Sequence, residues 1–146
     1  MTVLHWLSAG VLLASVGAAP AVAQETLVAP GPQGDLAGTL IAPAEGQPLV
    51  LIIPGSGPTD RDGNNPLGVT AALYRLLADA LAERGIGTLR IDKRGMFASK
   101  AAVADANAVT IADYVTDTAS WVGAARTATG AECLWLLGHS EGGIVA

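Results

Sequence analysis

Apolar and polar positions along the chain fall into short solid runs and longer periodic stripes. Residues 25–29 and 35–42 are apolar stretches around Gly31-Pro32 and Gly34, which predicts an opening pair of strands joined by a turn. Leu49 to Ile53 is a continuous apolar run, too short for a helix, and its β-branched content predicts a strand buried on both faces. After a Gly- and Pro-rich loop over 54–66, Leu73, Leu76, Leu77, Ala80 and Leu81 recur at helical spacing, predicting a helix over 69–84 that Gly85 stops. Thr88 to Ile91 predicts the next strand, followed by a loop over 92–107. A helix over 110–127 carries Ile111, Tyr114, Val115, Thr118 and Val122 on one stripe, with Gly130 beyond it, and Cys133 to Leu137 predicts a third buried strand. Strands alternating with helices imply right-handed crossovers, and hence an α/β fold with a mostly parallel sheet and flanking helices.

The first 23 residues follow a different pattern. No charged side chain occurs from Trp6 to Ala23, and the run ends in Ala21-Val22-Ala23 before Gln24-Glu25. The small-x-small ending predicts a secretory signal cleaved after Ala23, and so a secreted or periplasmic protein whose remaining residues, 24–146, form the folded part. The rival is a retained anchor, at the lower length limit for a membrane span. Membrane contact is expected only through this leader, where it stays uncleaved.

Charge and composition narrow the partners. A net charge of −5 with no basic run argues against nucleic acid held by counterion release. One cysteine excludes a disulfide framework or a cysteine-rich zinc site, and Cys133 is expected as a buried strand residue. Two histidines, one of them His5 in the leader, leave little for a metal, and no ligand cluster implies a metal or organic cofactor. Asp60 to Asn64 resembles a calcium loop only loosely. Asn65 and Ala71 stand where that pattern needs Gly and an acid, so a solvated turn is expected. Asp79, Glu83, Asp113 and Asp117 read as solvated helix faces.

The chemistry concentrates at Gly138-His139-Ser140-Glu141-Gly142, a G-x-S-x-G that follows an apolar strand and opens a helix. A serine hydroxyl is a poor nucleophile and must stand clear of the sheet where a base can reach it. A sharp turn with Ser140 in a strained conformation achieves this, and Gly138 and Gly142 remove side chains that would collide with the neighbouring strand and helix. His139 is chain-adjacent to Ser140 and is expected to line the site rather than act as its base.

With these residues in place, the chain resembles the α/β-hydrolase superfamily, particularly bacterial exported members of the esterase and serine-aminopeptidase-like kind. Two further segments carry the resemblance. Pro54-Gly55-Ser56-Gly57, after the first core strand, stands where the family keeps its His-Gly loop; the likeness implies the Ser56 N–H as an oxyanion donor, with Gly57 as the alternative. Asp92 to Ser99 is similar to the family's Asp-x-Arg-Gly-x-Gly-x-Ser loop, with Phe97 in place of the second glycine. Gly55, Gly57, Asp92 and Arg94 are thus expected around the substrate cleft. Asp92 and Arg94 are expected to organise their loop through hydrogen bonds. Ligands of an open parallel sheet bind at the carboxyl ends of its strands, where Ser56, Asp92 and Ser140 all fall. Ser140 would attack a carbonyl, with the backbone N–H groups of Glu141 and Ser56 holding the oxyanion.

In this superfamily the triad acid and histidine follow the nucleophile, and only six residues follow Ser140 here. The resemblance therefore implies the front part of a hydrolase fold cut just after the elbow, inactive by itself. The expected parent acts on a small-molecule ester or a peptide-like substrate, esterase first and aminopeptidase-like second. A hydrolase-fold protein used for binding is the alternative. A different parallel α/β cofactor domain would need a Gly-rich nucleotide fingerprint that is absent from the sequence.

Overall fold

A computed structural model describes residues 22–146; apart from Val22 and Ala23, the predicted leader lies outside the described residues. The opening strand pair forms as expected, β1 (Glu25–Pro30) and β2 (Asp35–Ile41), followed by β3 (Leu49–Ile53), α1 (Leu73–Ala82), β4 (Gly87–Ile91), α2 (Ile111–Thr129), β5 (Leu134–Gly138) and the short α3 (Gly142–Val145). The sheet order is β1-β2-β4-β3-β5. β4, β3 and β5 run parallel, with β5 at the edge, and the β1–β2 hairpin extends the sheet antiparallel beyond β4.

β3 organises the core because all five of its residues are buried. Leu49, Leu51 and Ile53 face one layer with Leu36, Leu40, Leu89, Trp121 and Ala125, the side covered by α2. Val50 and Ile52 face the other with Tyr74, Leu77, Leu81 and Ile86, the side covered by α1. The two-residue strand period thus builds a helix–sheet–helix sandwich from one short run.

Several sequence expectations are corrected. α1 starts at Leu73 rather than near Val69, because the preceding backbone is held in a loop of its own. Val69 pairs with Asn65 in an isolated bridge, the Asn64 side chain accepts from the Ala72 N–H, and Ala72 takes a left-handed conformation (φ 48°). On both helices the buried face is offset from the predicted stripe. Leu77, Leu81, Tyr114, Thr118 and Val122 pack inward as expected, but Leu73, Leu76, Ile111 and Val115 are exposed, and Tyr74, Ala78, Asp117, Trp121 and Ala125 are buried instead. The loop over 92–107 contains two 3-10 turns, Phe97–Ala102 and Ala106–Ala108.

β5 is a strand but not a buried one. It pairs with β3 on one side, and Trp135 is 62% exposed, with Leu136 and Leu137 also open. Cys133, expected inside, is exposed just ahead of it. An apolar run reads alike in a central and an edge strand, since only its neighbours decide burial.

Candidate active site

The turn from β5 to α3 is built backbone against backbone. The His139 N–H donates to the Ile53 carbonyl (3.0 Å), and the Gly142 and Gly143 N–H groups donate to the carbonyls of His139 and Ser140 (both 2.9 Å). A Cβ on Gly138 would collide with the backbone of Gly142 and Gly143. One on Gly142 would collide with the Ile53 carbonyl and stand 2.8 Å from that of Pro54. Both glycines therefore exclude side chains where helix and strand meet. Ser140 sits at the apex, exposed, with φ 53°, a strained left-handed conformation for a non-glycine residue.

The loop after β3 lies directly against this apex. A Cβ on Gly55 would come within 3.2 Å of His139 Nδ1 and 3.3 Å of Ser140 Cβ. The N–H groups of Ser56 and Glu141 have no hydrogen-bond acceptor among the described residues. The structure thus leaves two uncommitted donors on the two segments that meet at Ser140. Gly57 follows in a left-handed turn (φ 72°), its carbonyl accepting from the Thr59 N–H.

Two side chains that the sequence reading passed over complete the surroundings. Tyr74 on α1 is buried, and its Oη lies 2.8 Å from His139 Nδ1 and accepts from the Gly55 N–H at 3.4 Å. The two rings meet edge-on, 5.8 Å apart. Burial pushes the Tyr74 phenol above its ordinary pKa, with the Gly55 N–H partly opposing and Asp60 adding to the rise, so the hydroxyl stays protonated at neutral pH. Lys93, after β4, is the second. Its ammonium is buried, donates to the Gly55 carbonyl (2.6 Å) and pairs with Glu141 (3.1 Å). No local sequence signal marks either residue, since each finds its partners across the fold.

The remaining candidates are engaged in scaffolding. Asp92 accepts from the Arg61 N–H (2.9 Å), the Arg61 guanidinium (2.5 Å) and the Ala98 N–H (3.1 Å). Arg94 makes a two-pronged pair with Asp117 (2.7 and 2.5 Å) and reaches Asp113 at 3.1 Å. Asp117 is therefore buried in an ion pair, not on a solvated face. The pair lies on the buried face of α2, beside Thr118 and Trp121. Asp60 caps its own turn by accepting from the Asp62 and Asn64 N–H groups, while Asp62 pairs with the buried Arg90.

A cleft of about 240 Å³ opens beside the elbow, lined by His139, Tyr74, Leu73, Val69, Asn65 and Thr59 among others. A larger one, about 480 Å³, lies at the opposite ends of β3 and β5, against residues 43–47 and 129–133, away from Ser140. His139 is the only histidine among the described residues, and Ser140 Oγ has no hydrogen-bond partner among them.

A mixed five-stranded sheet with a serine on a strained strand-to-helix turn defines the α/β serine-hydrolase class. The family profile for serine aminopeptidase, S33, matches residues 67–146, more than half of the sequence, and the chain belongs to that family. An α/β serine hydrolase without a lid from Xanthomonas campestris superposes with a TM-score of 0.61 at 22% identity, over 88% of this chain and 56% of that one. Est1E from Butyrivibrio proteoclasticus, solved with ferulic acid, gives 0.56 at 23% identity, over 76% of this chain and 41% of that one. A proline iminopeptidase-related protein from Thermus thermophilus gives 0.55 at 25% identity, over 85% and 39%. The chain thus spans about half the length of the solved structures that it matches. No curated protein matches it.

Proposed function

We propose that this chain supplies the nucleophile and oxyanion hole of an exported serine hydrolase that cleaves carboxylic esters, with peptide-like amides as the second substrate class. The observation that carries this reading is Ser140 at φ 53° on an exposed turn, with the uncommitted N–H groups of Glu141 and Ser56 on the segments that meet there. In the reaction, Ser140 Oγ attacks the carbonyl carbon and its proton passes to a base. The carbonyl oxygen becomes an oxyanion held by the two N–H groups, each such donor being worth about 3 kcal/mol of barrier. Collapse expels the alcohol and leaves an acyl-serine, which water hydrolyses. The base and its orienting acid are assigned to residues other than those described, because His139, the only imidazole among the described residues, is chain-adjacent to Ser140 and makes no hydrogen bond to its Oγ, while its Nδ1 faces Tyr74 Oη. Export rests on the leader pattern of residues 1–23.

The test uses the full-length protein with p-nitrophenyl acetate and a fluorophosphonate probe. Turnover and labelling are both expected, and both should vanish in Ser140→Ala. A folded full-length protein that neither turns over esters nor labels would make the fold a binding module instead.

A further inference from the structure

Lys93 stands out as a buried cation whose two polar partners belong to the two oxyanion segments. Its side chain is only 4% exposed, its ammonium lies 5.0 Å over the Tyr114 ring, and it reaches Gly55 O at 2.6 Å and Glu141 Oε1 at 3.1 Å. Burying an ammonium is costly unless it is fully engaged, so this placement needs a return. The Gly55 carbonyl and the Ser56 N–H are the two ends of one planar peptide unit. An ammonium bonded to the carbonyl end fixes the plane of that unit, and so the direction of its N–H. It also draws electron density toward the oxygen, which makes the N–H a stronger donor. The other partner, Glu141, is the residue whose own N–H is the second donor. One ammonium therefore ties the β3 loop to the elbow.

We infer that Lys93 is the positioning residue of the oxyanion hole: it sets the spacing of the Ser56 and Glu141 N–H groups and polarises the Gly55–Ser56 peptide. This rests on the hydrolase reading above. Lys93 does not touch substrate and transfers no proton; it acts through the two backbone donors. Interactions that strengthen only in the transition state raise kcat without changing KM, which separates this role from substrate binding.

The experiment measures kcat and KM for p-nitrophenyl acetate in the full-length protein, together with inhibition by a trifluoromethyl ketone, which binds serine hydrolases as an oxyanion. Lys93→Met is expected to lower kcat about 10- to 100-fold with KM within about twofold, and to weaken the ketone by a similar factor. Thermal unfolding and circular dichroism check that the variant is folded. Should Lys93→Met fail to fold, Glu141→Ala decides, since it frees only the elbow end of the tether. A several-fold loss of kcat at constant KM supports the assignment, and an unchanged kcat overturns it. A folded Lys93→Met with wild-type kcat, or one altered in KM alone, also overturns it. Ser140→Ala separates the two readings: if that variant still turns over ester, the hydrolase reading fails; if it is dead while Lys93→Met is fully active, only the role of Lys93 fails.

Discussion

The backbone of Gly142 packs directly on the carbonyl of Ile53, so closely that a Cβ at residue 142 would collide with that oxygen. Neither atom can move cheaply, because Ile53 belongs to the fully buried β3 and its carbonyl also accepts from the His139 N–H. Gly142→Ala is therefore expected to destabilise the protein by about 3 kcal/mol, the upper range for overpacking. Gly123 provides the control. It lies inside α2 with open space around its Cβ position, and Gly123→Ala should stabilise by roughly 0.5–1 kcal/mol through helix propensity. Urea unfolding of the two variants gives opposite signs if the contact is as described.

Ser140 holds a left-handed backbone that costs an L-residue roughly 1–2 kcal/mol. Its side chain is exposed, so little packing is lost on replacing it. Ser140→Gly should be more stable than Ser140→Ala by about 1 kcal/mol, with both inactive. The alanine variant is the reference because it keeps the strain and removes only the hydroxyl. Equal midpoints for the two would show that the turn relaxes in solution.

Elements with strong local signals were legible in the sequence. Five apolar residues from Leu49 to Ile53 announced a doubly buried strand, and the glycines at 138 and 142 announced a turn in which side chains would clash. The start of α1 was not legible, because Asn64 and Asn65 bind backbone groups up to eight residues away and delay the helix. The exposure of β5 and Cys133 depends on which strands lie alongside, information that a run of apolar letters does not carry. Tyr74 and Lys93 were missed for the same reason: Lys93 meets residues 38 and 48 positions distant, and Tyr74 meets His139 65 positions away. The role of Asp117 was hidden too, since an aspartate at helical spacing looks solvated until Arg94 is brought beside it.

The pair of Arg94 and Asp117 is buried on both sides, with side-chain exposures of 7% and 8%. The Asp117 carboxylate holds the Arg94 guanidinium even further above its usual range, so the guanidinium stays charged. Removing one partner leaves a buried charge without compensation. Arg94→Met should cost about 3–5 kcal/mol, and the double variant Arg94→Met, Asp117→Leu should recover most of that loss. A denaturant-unfolding double-mutant cycle measures both. A double variant no better than Arg94→Met would mean that the loop needs the guanidinium for its shape rather than for charge balance.

Asp113 gives the amino end of α2 a pH dependence whose sign can be worked out. Its carboxylate accepts from the Thr110 N–H (2.9 Å) and hydroxyl (2.7 Å), while the Thr110 side chain accepts from the Asp113 N–H, closing a capping box. The Thr110 N–H, then its hydroxyl, then Arg94 hold the Asp113 carboxyl below its usual pKa. A group whose folded pKa is depressed binds protons less readily when folded. Its stabilisation is fully present above the unfolded value near 4 and is lost as pH falls through the folded value. Asp113→Asn should therefore lower the unfolding midpoint at pH 7 and converge on the wild type as pH falls through the depressed folded value. Thermal unfolding across that range is the measurement. A deficit that stays constant down to the lowest pH would show that the cap works through its geometry and not through the ionised carboxylate.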